Sequence, residues 1–191
     1  MFEGVALGYL SDIALLLGDD APALAHATAA LDIAVETQAK EDQMLALFAL
    51  AAAELALGRT AAASAPFARA LELAGGVGRA QQDARAGLAR VALALNDPAL
   101  ALSHLEPVLG ELANGGTLEG VVEVNLIRLT CWQALDRAQD PRAGWMLDLA
   151  HDAVQATAAA VTDPDLRDSF LTKHPTNRAI VEAWAKAQRG V

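Results

Sequence analysis

The 191-residue sequence predicts an all-α fold, a solenoid of about four antiparallel helix pairs followed by C-terminal capping helices. Two observations predict it. Hydrophobic residues make up 54% of the chain but aromatics only 4%, so the apolar content is mostly Ala and Leu, the two best apolar helix formers. Apolar helical runs also end in short polar turns, at Leu17-Gly18-Asp19, Leu57-Gly58-Arg59, Leu95-Asn96-Asp97 and near Asp136 to Ala138. The anchors Gly18, Gly58, Asn96 and Ala138 lie 40, 38 and 42 residues apart, a regular spacing of helix-pair size. The length suits one domain, 1–191, with helix pairs over about 4–161 and capping helices over about 163–189.

The first element, from Val5 to Leu17, is apolar but lacks a basic leader region and carries Asp12. It is shorter than the roughly 20 apolar residues a bilayer crossing takes, so it reads as a packed helix. Stacked on the anchors, the pairs align in columns. Seven residues before each anchor stand Ser11, Ala51, Ala89 and Cys131, and five after stand Ala23, Ala63, Ala101 and Ala143. Nine after come Ala27, Phe67, Leu105 and Leu147, and twelve after come Ala30, Ala70, Val108 and Ala150. Small residues let two helices of a pair approach closely, and larger ones fill the groove to the next pair.

Helix boundaries follow the same plan. Asp97-Pro98 and Asp140-Pro141 read as an N-cap followed by proline at the first helical position, with Asp20 and Thr60 expected to cap the other two second helices. Gly75-Gly76-Val77-Gly78 and Asn114-Gly115-Gly116 supply residues that tolerate the left-handed ends of helices. Val122, Val124 and Leu126 alternate with Glu123 and Asn125 at a strand-like period, but Val122, Leu126, Leu129 and Trp132 have helical spacing, and a helix is expected there. Asp163-Pro164 opens a short helix to about Thr172, and His174-Pro175-Thr176-Asn177 leads into a last one through Ala185. Trp145 and Trp184 fall on apolar stripes with Leu149 and Ile180 and are expected in the core.

These columns resemble the tetratricopeptide repeat, most closely through Leu50-Ala51, Gly58, Ala63, Phe67, Ala70 and Leu71. The early Trp and mid-helix Tyr of that family are absent, and the steps exceed its usual repeat of about 34 residues. The run Leu166-Arg167-Asp168-Ser169-Phe170-Leu171, with Pro175, Asn177-Arg178 and Ile180, resembles the closing segment of repeat regions in large bacterial signalling proteins that place an ATPase, cyclase or transcription-factor module ahead of the repeats. The resemblance implies a right-handed superhelix whose first helices line a concave face. It selects Asp12, Leu15, Phe48, Ala52, Asp83, Arg90, Asn125, Arg128 and Trp132 as facing inward, with Phe48, Asp83, Arg90, Asn125, Arg128 and Trp132 as partner-binding candidates.

Charge and chemistry narrow the function. Fourteen basic against 24 acidic residues give a net charge of −10, which disfavours nucleic acid and anionic membrane as partners of this chain. The single Cys131 forms no internal disulfide, and the cytoplasm is the expected compartment. None of the lysines Lys40, Lys173 and Lys186 follows a glycine, so no P-loop exists. His26, His104, His151 and His174 show no zinc-ligand spacing, and Cys131 in the small-residue column reads as buried filler. No catalytic residue, cofactor site or metal site is expected.

The leading expectation is a non-catalytic protein-interaction repeat domain, a regulatory or scaffolding module of a bacterial signalling or transcription regulator that binds another protein or peptide. Self-assembly into a homodimer through Val5, Tyr9 and Leu10 is the first alternative, because apolar residues wrap more than one face of the N-terminal helix while solenoid ends are normally polar. Either a preceding domain or a second copy is expected to cover that end. The second alternative is a small-molecule sensor, which needs a cavity with convergent polar groups such as Arg90, Arg128 and Asn125.

Overall fold

In a computed structural model, which describes residues 2–75, 78–118, 120–121 and 123–190, all regular structure is helical. Gly76, Val77 and Val122, singled out above for turn and strand-like patterns, lie outside the described residues. Ten helices follow in order among the described residues: α1 (Phe2–Leu17), α2 (Asp20–Glu36), α3 (Lys40–Ala56), α4 (Thr60–Ala74), α5 (Gly78–Ala94), α6 (Pro98–Ala113), α7 (Val124–Arg137), α8 (Ala143–Ala160), α9 (Pro164–Thr172) and α10 (Pro175–Arg189). The chain divides into two compact units, residues 1–108 and 109–191, with the boundary inside α6.

In the first unit each of α1 to α5 packs on its sequence neighbour, and α3 also touches α1 and α5. The small-residue column sets these approaches. Ser11, Ala51, Ala89 and, in the second unit, Cys131 are all 0% exposed. Ala23, Ala63 and Ala101 of the next column are equally buried, while Ala143 is half-buried. Larger residues then fill the spaces left. Phe67 packs with Ala51, Ala63, Leu88 and Val91, and Leu47 packs with Ala70 and Ala84.

Most helix ends close in one way. At Gly18, Gly58 and Asn96 the backbone turns left-handed, φ 80°, 72° and 59°. The amide of the following residue then bonds back to the carbonyl five positions earlier, as Asp19 does to Ala14, Arg59 to Glu54 and Asp97 to Ala92. This is the Schellman closure, and it satisfies carbonyls that a helix end leaves open. The fourth turn has its left-handed residue at Gln139 (φ 55°), one position beyond the Ala138 anchor, and a further turn of the same kind sits at Gln38 (φ 57°).

Capping departs from expectation at three places: α8 starts at Ala143 with Arg142 as its N-cap, so Asp140 and Pro141 lie in the turn before it, and the other two departures are at α2 and α4. Asp20 and Thr60 are the first residues of α2 and α4, so Asp19 and Arg59 hold the N-cap positions, and neither makes a side-chain cap bond. The Schellman turns leave only two residues between α1 and α2 and three between α3 and α4, and Asp20 and Thr60 are already inside the helices. Asp97 does cap α6, accepting from the Leu100 amide at 2.9 Å, and Asp163 caps α9 by accepting from Asp165 and Leu166.

In the second unit α7 packs on α8, and α10 packs on α7, α8 and α9. Its core contains Leu135, Met146, Val154 and Ile180, all 0% exposed. Cys131 lies in the same interior, where burial pushes its thiol up to about 12, so it stays protonated and inert at neutral pH. Trp145, expected in the core, is instead 39% exposed, because Met146 and Leu147 take the inward positions of α8. Trp184 is half-buried, its ring stacked at 4.0 Å on His151 and its indole N–H donating to Asp148 at 2.9 Å.

The turn into α8 supplies a pH-dependent contribution to stability. The Arg142 side chain donates to the Asp140 carboxylate at 2.9 and 2.8 Å, and the Arg142 amide adds a third bond at 2.9 Å. These bonds hold the carboxyl at about 2, below its ordinary 3.8. A carboxyl whose folded value is depressed stabilises the fold above the unfolded value and stops doing so as pH falls through the folded one. Urea melts of the wild type and Arg142→Ala are therefore expected to differ most above pH 4 and to converge between pH 4 and 2. A gap that does not change over that range would show that the pair has no part in acid stability.

Candidate functional site

Among the described residues, two features stand out for function, one in each unit. The first is α1. Gly4, Ser11 and Ala14 are its buried residues, and a Cβ on Gly4 would come within 3.2 Å of the Ile33 side chain of α2. The helix thus lies close against its neighbour on small residues, with Leu15 packed beside Ala14, and carries several large apolar residues outward. Tyr9, Leu10, Ile13, Leu16 and Leu17 are 45–72% exposed, and Tyr9, Ile13, Leu16 and Leu17 follow the i, i+4, i+7, i+8 spacing of one helix stripe. Only Glu3 and Asp12 bring charge to this helix. Of the self-association candidates, Tyr9 and Leu10 belong to the exposed ridge and Val5 is half-buried.

The second feature is a cavity of about 400 Å³ in the second unit, lined by residues from α7, α8, α9 and α10, with Asn125, Arg128, Phe170, His174 and Asn177 as its chemically distinctive walls. Asn177, 1% exposed, anchors it. Asn177 accepts from the Asn125 amide nitrogen at 2.9 Å and donates to the Phe170 carbonyl at 3.1 Å. Arg128 Nη1 in turn donates to Asn125 Oδ1 at 3.2 Å. The amide network fixes the base of the guanidinium, because Asn125 and Arg128 share one face of α7 at i and i+3.

Two nitrogens of this wall remain unsatisfied. Arg128 Nε and His174 Nδ1 are buried and have no hydrogen-bond partner among the described residues. Arg128 is half-buried and has no carboxylate within ion-pair distance among the described residues, and burial pulls its guanidinium below the ordinary arginine value. α7 and α10 also both begin at the cavity, with Glu123 and His174 as N-cap residues, and neither N-cap makes a side-chain cap bond. The first-turn amides of a helix carry partial positive charge, so both helix starts favour negative charge here.

The partner-binding candidates separate under this geometry. Phe48, Asp83 and Arg90 belong to the first unit and Asn125, Arg128 and Trp132 to the second. Phe48 packs against the Phe67 cluster, ring centroids 6.4 Å apart. Asn125 and Arg128 are brought together, while Trp132 does not line the cavity. The cavity residues that sequence reasoning passed over are Phe170, His174 and Asn177. The signal available for Asn177 was a polar residue three before Ile180, on the stripe that α10 buries.

No group of three or more His, Cys, Asp or Glu is arranged to hold a metal among the described residues, and no helix among them is long and apolar enough to cross a membrane. Comparison with family models, curated proteins and solved structures finds no match to this chain.

Proposed function

We propose that this chain is a non-catalytic protein-interaction module, a right-handed tetratricopeptide-like solenoid acting in the cytoplasm as a regulatory or scaffolding part of a bacterial signalling or transcription regulator. The observation that carries the reading is the inversion of α1: small residues inward, five large apolar residues outward. Water-facing apolar stripes of this kind cost solubility and mark interaction surfaces.

Charge favours a different protein over a second copy. Covering a half-exposed Leu, Ile or Tyr is worth on the order of 1 kcal/mol, so the ridge offers about 5 kcal/mol per chain. That is at the low end of the roughly 4–15 kcal/mol that association costs, so further contacts must contribute. Two copies would bring their −10 charges together, whereas a partner with an apolar face and a basic rim gains from them.

The test has two arms. Light scattering behind a sizing column across a concentration series is expected to show a monomer of 19.8 kDa. A photo-crosslinking residue at Leu10, used in cells, is expected to give one dominant adduct, absent with the crosslinker at exposed Arg69 and salt-sensitive because a basic partner is involved. A dimer dispersed by Leu10→Glu would replace the proposal with self-assembly. A monomer that also gives no adduct would refute both readings.

A further inference from the structure

We propose that the cavity between α7, α8, α9 and α10 is a binding site for a small monocarboxylate with a compact apolar body, such as an aryl or short branched acid. The inference is independent of the α1 ridge, which lies in the other unit.

The cavity leaves polar groups unpaired. A guanidinium recognises a carboxylate by two parallel bonds in its plane. Arg128 uses Nη1 on Asn125 and leaves the Nε edge without a partner, which is the edge a side-on carboxylate takes. His174, whose Nδ1 is also buried and unpartnered, lines the same cavity, and in its Nδ1–H tautomer the ring has a donor to offer an anion once one enters. The starts of α7 and α10 add two sets of first-turn amides with no side-chain cap.

The charge inventory sets the class of anion. Among the described lining residues Arg128 is the one fixed cation, and exposed Glu123 stands beside it as a fixed anion. A phosphate dianion would meet one guanidinium and a repelling carboxylate, in a chain already at −10. A single negative charge is what one guanidinium neutralises. Val124 and Phe170 supply an apolar wall for the rest of the ligand, and a volume of about 400 Å³ is within the range of small-ligand pockets.

The experiment follows the histidine ring resonances of the full chain by NMR during titration with benzoate. His174→Gln assigns the His174 signal by its loss. The expected result is a saturable shift of His174 with His26 and His104 unmoved, weakened at least tenfold in Arg128→Gln and partly kept in Arg128→Lys. Benzamide, which has the same shape without the charge, is expected not to saturate the site, and neither is inorganic phosphate. Absence of a saturable His174 shift in the wild type would overturn the proposal whether or not either Arg128 variant folds. Equal binding of benzamide, or binding of phosphate alone, would overturn it as well.

Discussion

Replacing Gly87 by Ala is expected to destabilise the first unit by about 2 kcal/mol, although the same change in an ordinary helix interior gains roughly 1 kcal/mol from propensity. Gly87 lies within α5 and is buried. A Cβ built there would fall 2.2 Å from two ring carbons of Phe67 and 2.7 Å from a third. Contacts that short do not exist, so either the ring or the helix must move. The ring has little room, since Phe67 is 3% exposed and packs with Ala51, Ala63, Leu88 and Val91, with Phe48 tilted against it. Urea denaturation of the single variants and the pair separates this from a generic effect on α5. Phe67→Leu alone is expected to cost about 1–2 kcal/mol through lost packing. In that background Gly87→Ala is expected to turn neutral or stabilising, a coupling of 2 kcal/mol or so between directly touching residues. A penalty that persists unchanged with Leu at position 67 would mean that Phe67 is not what excludes the Cβ.

That pair also marks how far the sequence could be read. Phe67 is legible as the bulky residue between small columns, and Ser11, Ala51, Ala89 and Cys131 are legible as points of close approach, because residue size alone limits how near two helices come. The need for glycine at position 87 is not legible, since it arises only when the Phe67 ring from α4 is laid across α5. Turns divide along the same line. Gly18, Gly58 and Asn96 announce left-handed backbone by residue type, while Gln38 and Gln139 adopt it with no such preference. There the closure bonds, Ala39 to Ala34 and Asp140 to Leu135, impose the conformation.

The cavity shows the division most clearly. Asn125 and Arg128 are three apart on one helix, so their meeting follows from helical geometry. Asn177, which holds Asn125 from 52 residues away, could be found only through the packing of α10 on α7. The α1 ridge was half legible: an apolar helix over residues 5–17 can be read from sequence, but its outward rotation depends on Gly4, Ser11 and Ala14 seating it on its neighbours.

Asn177 carries the second large expectation. Asn177→Ala should destabilise the second unit by about 2–4 kcal/mol, because it empties a fully buried position and strands two half-buried partners at once, and each unsatisfied group costs roughly 1–3 kcal/mol. The Asn125 amide would lose its acceptor and the Phe170 carbonyl its donor, both supplied by a side chain that is itself 1% exposed. Asn177→Asp separates the two bonds: it keeps an acceptor for Asn125, removes the donor to Phe170, and places a carboxylate near Arg128. Its cost should therefore fall below that of alanine at neutral pH and grow as the carboxylate protonates in acid. Asn177→Leu keeps the volume but restores neither bond, so it should stay near the alanine value. Hydrogen exchange locates the damage. The amides of α9 and α10 should lose protection in Asn177→Ala while those of α2 to α4 keep theirs, since every bond Asn177 makes lies within the second unit. Equal loss of protection in both units would show a single cooperative fold, and a cost below 1 kcal/mol would show that water replaces the bonds that Asn177 makes.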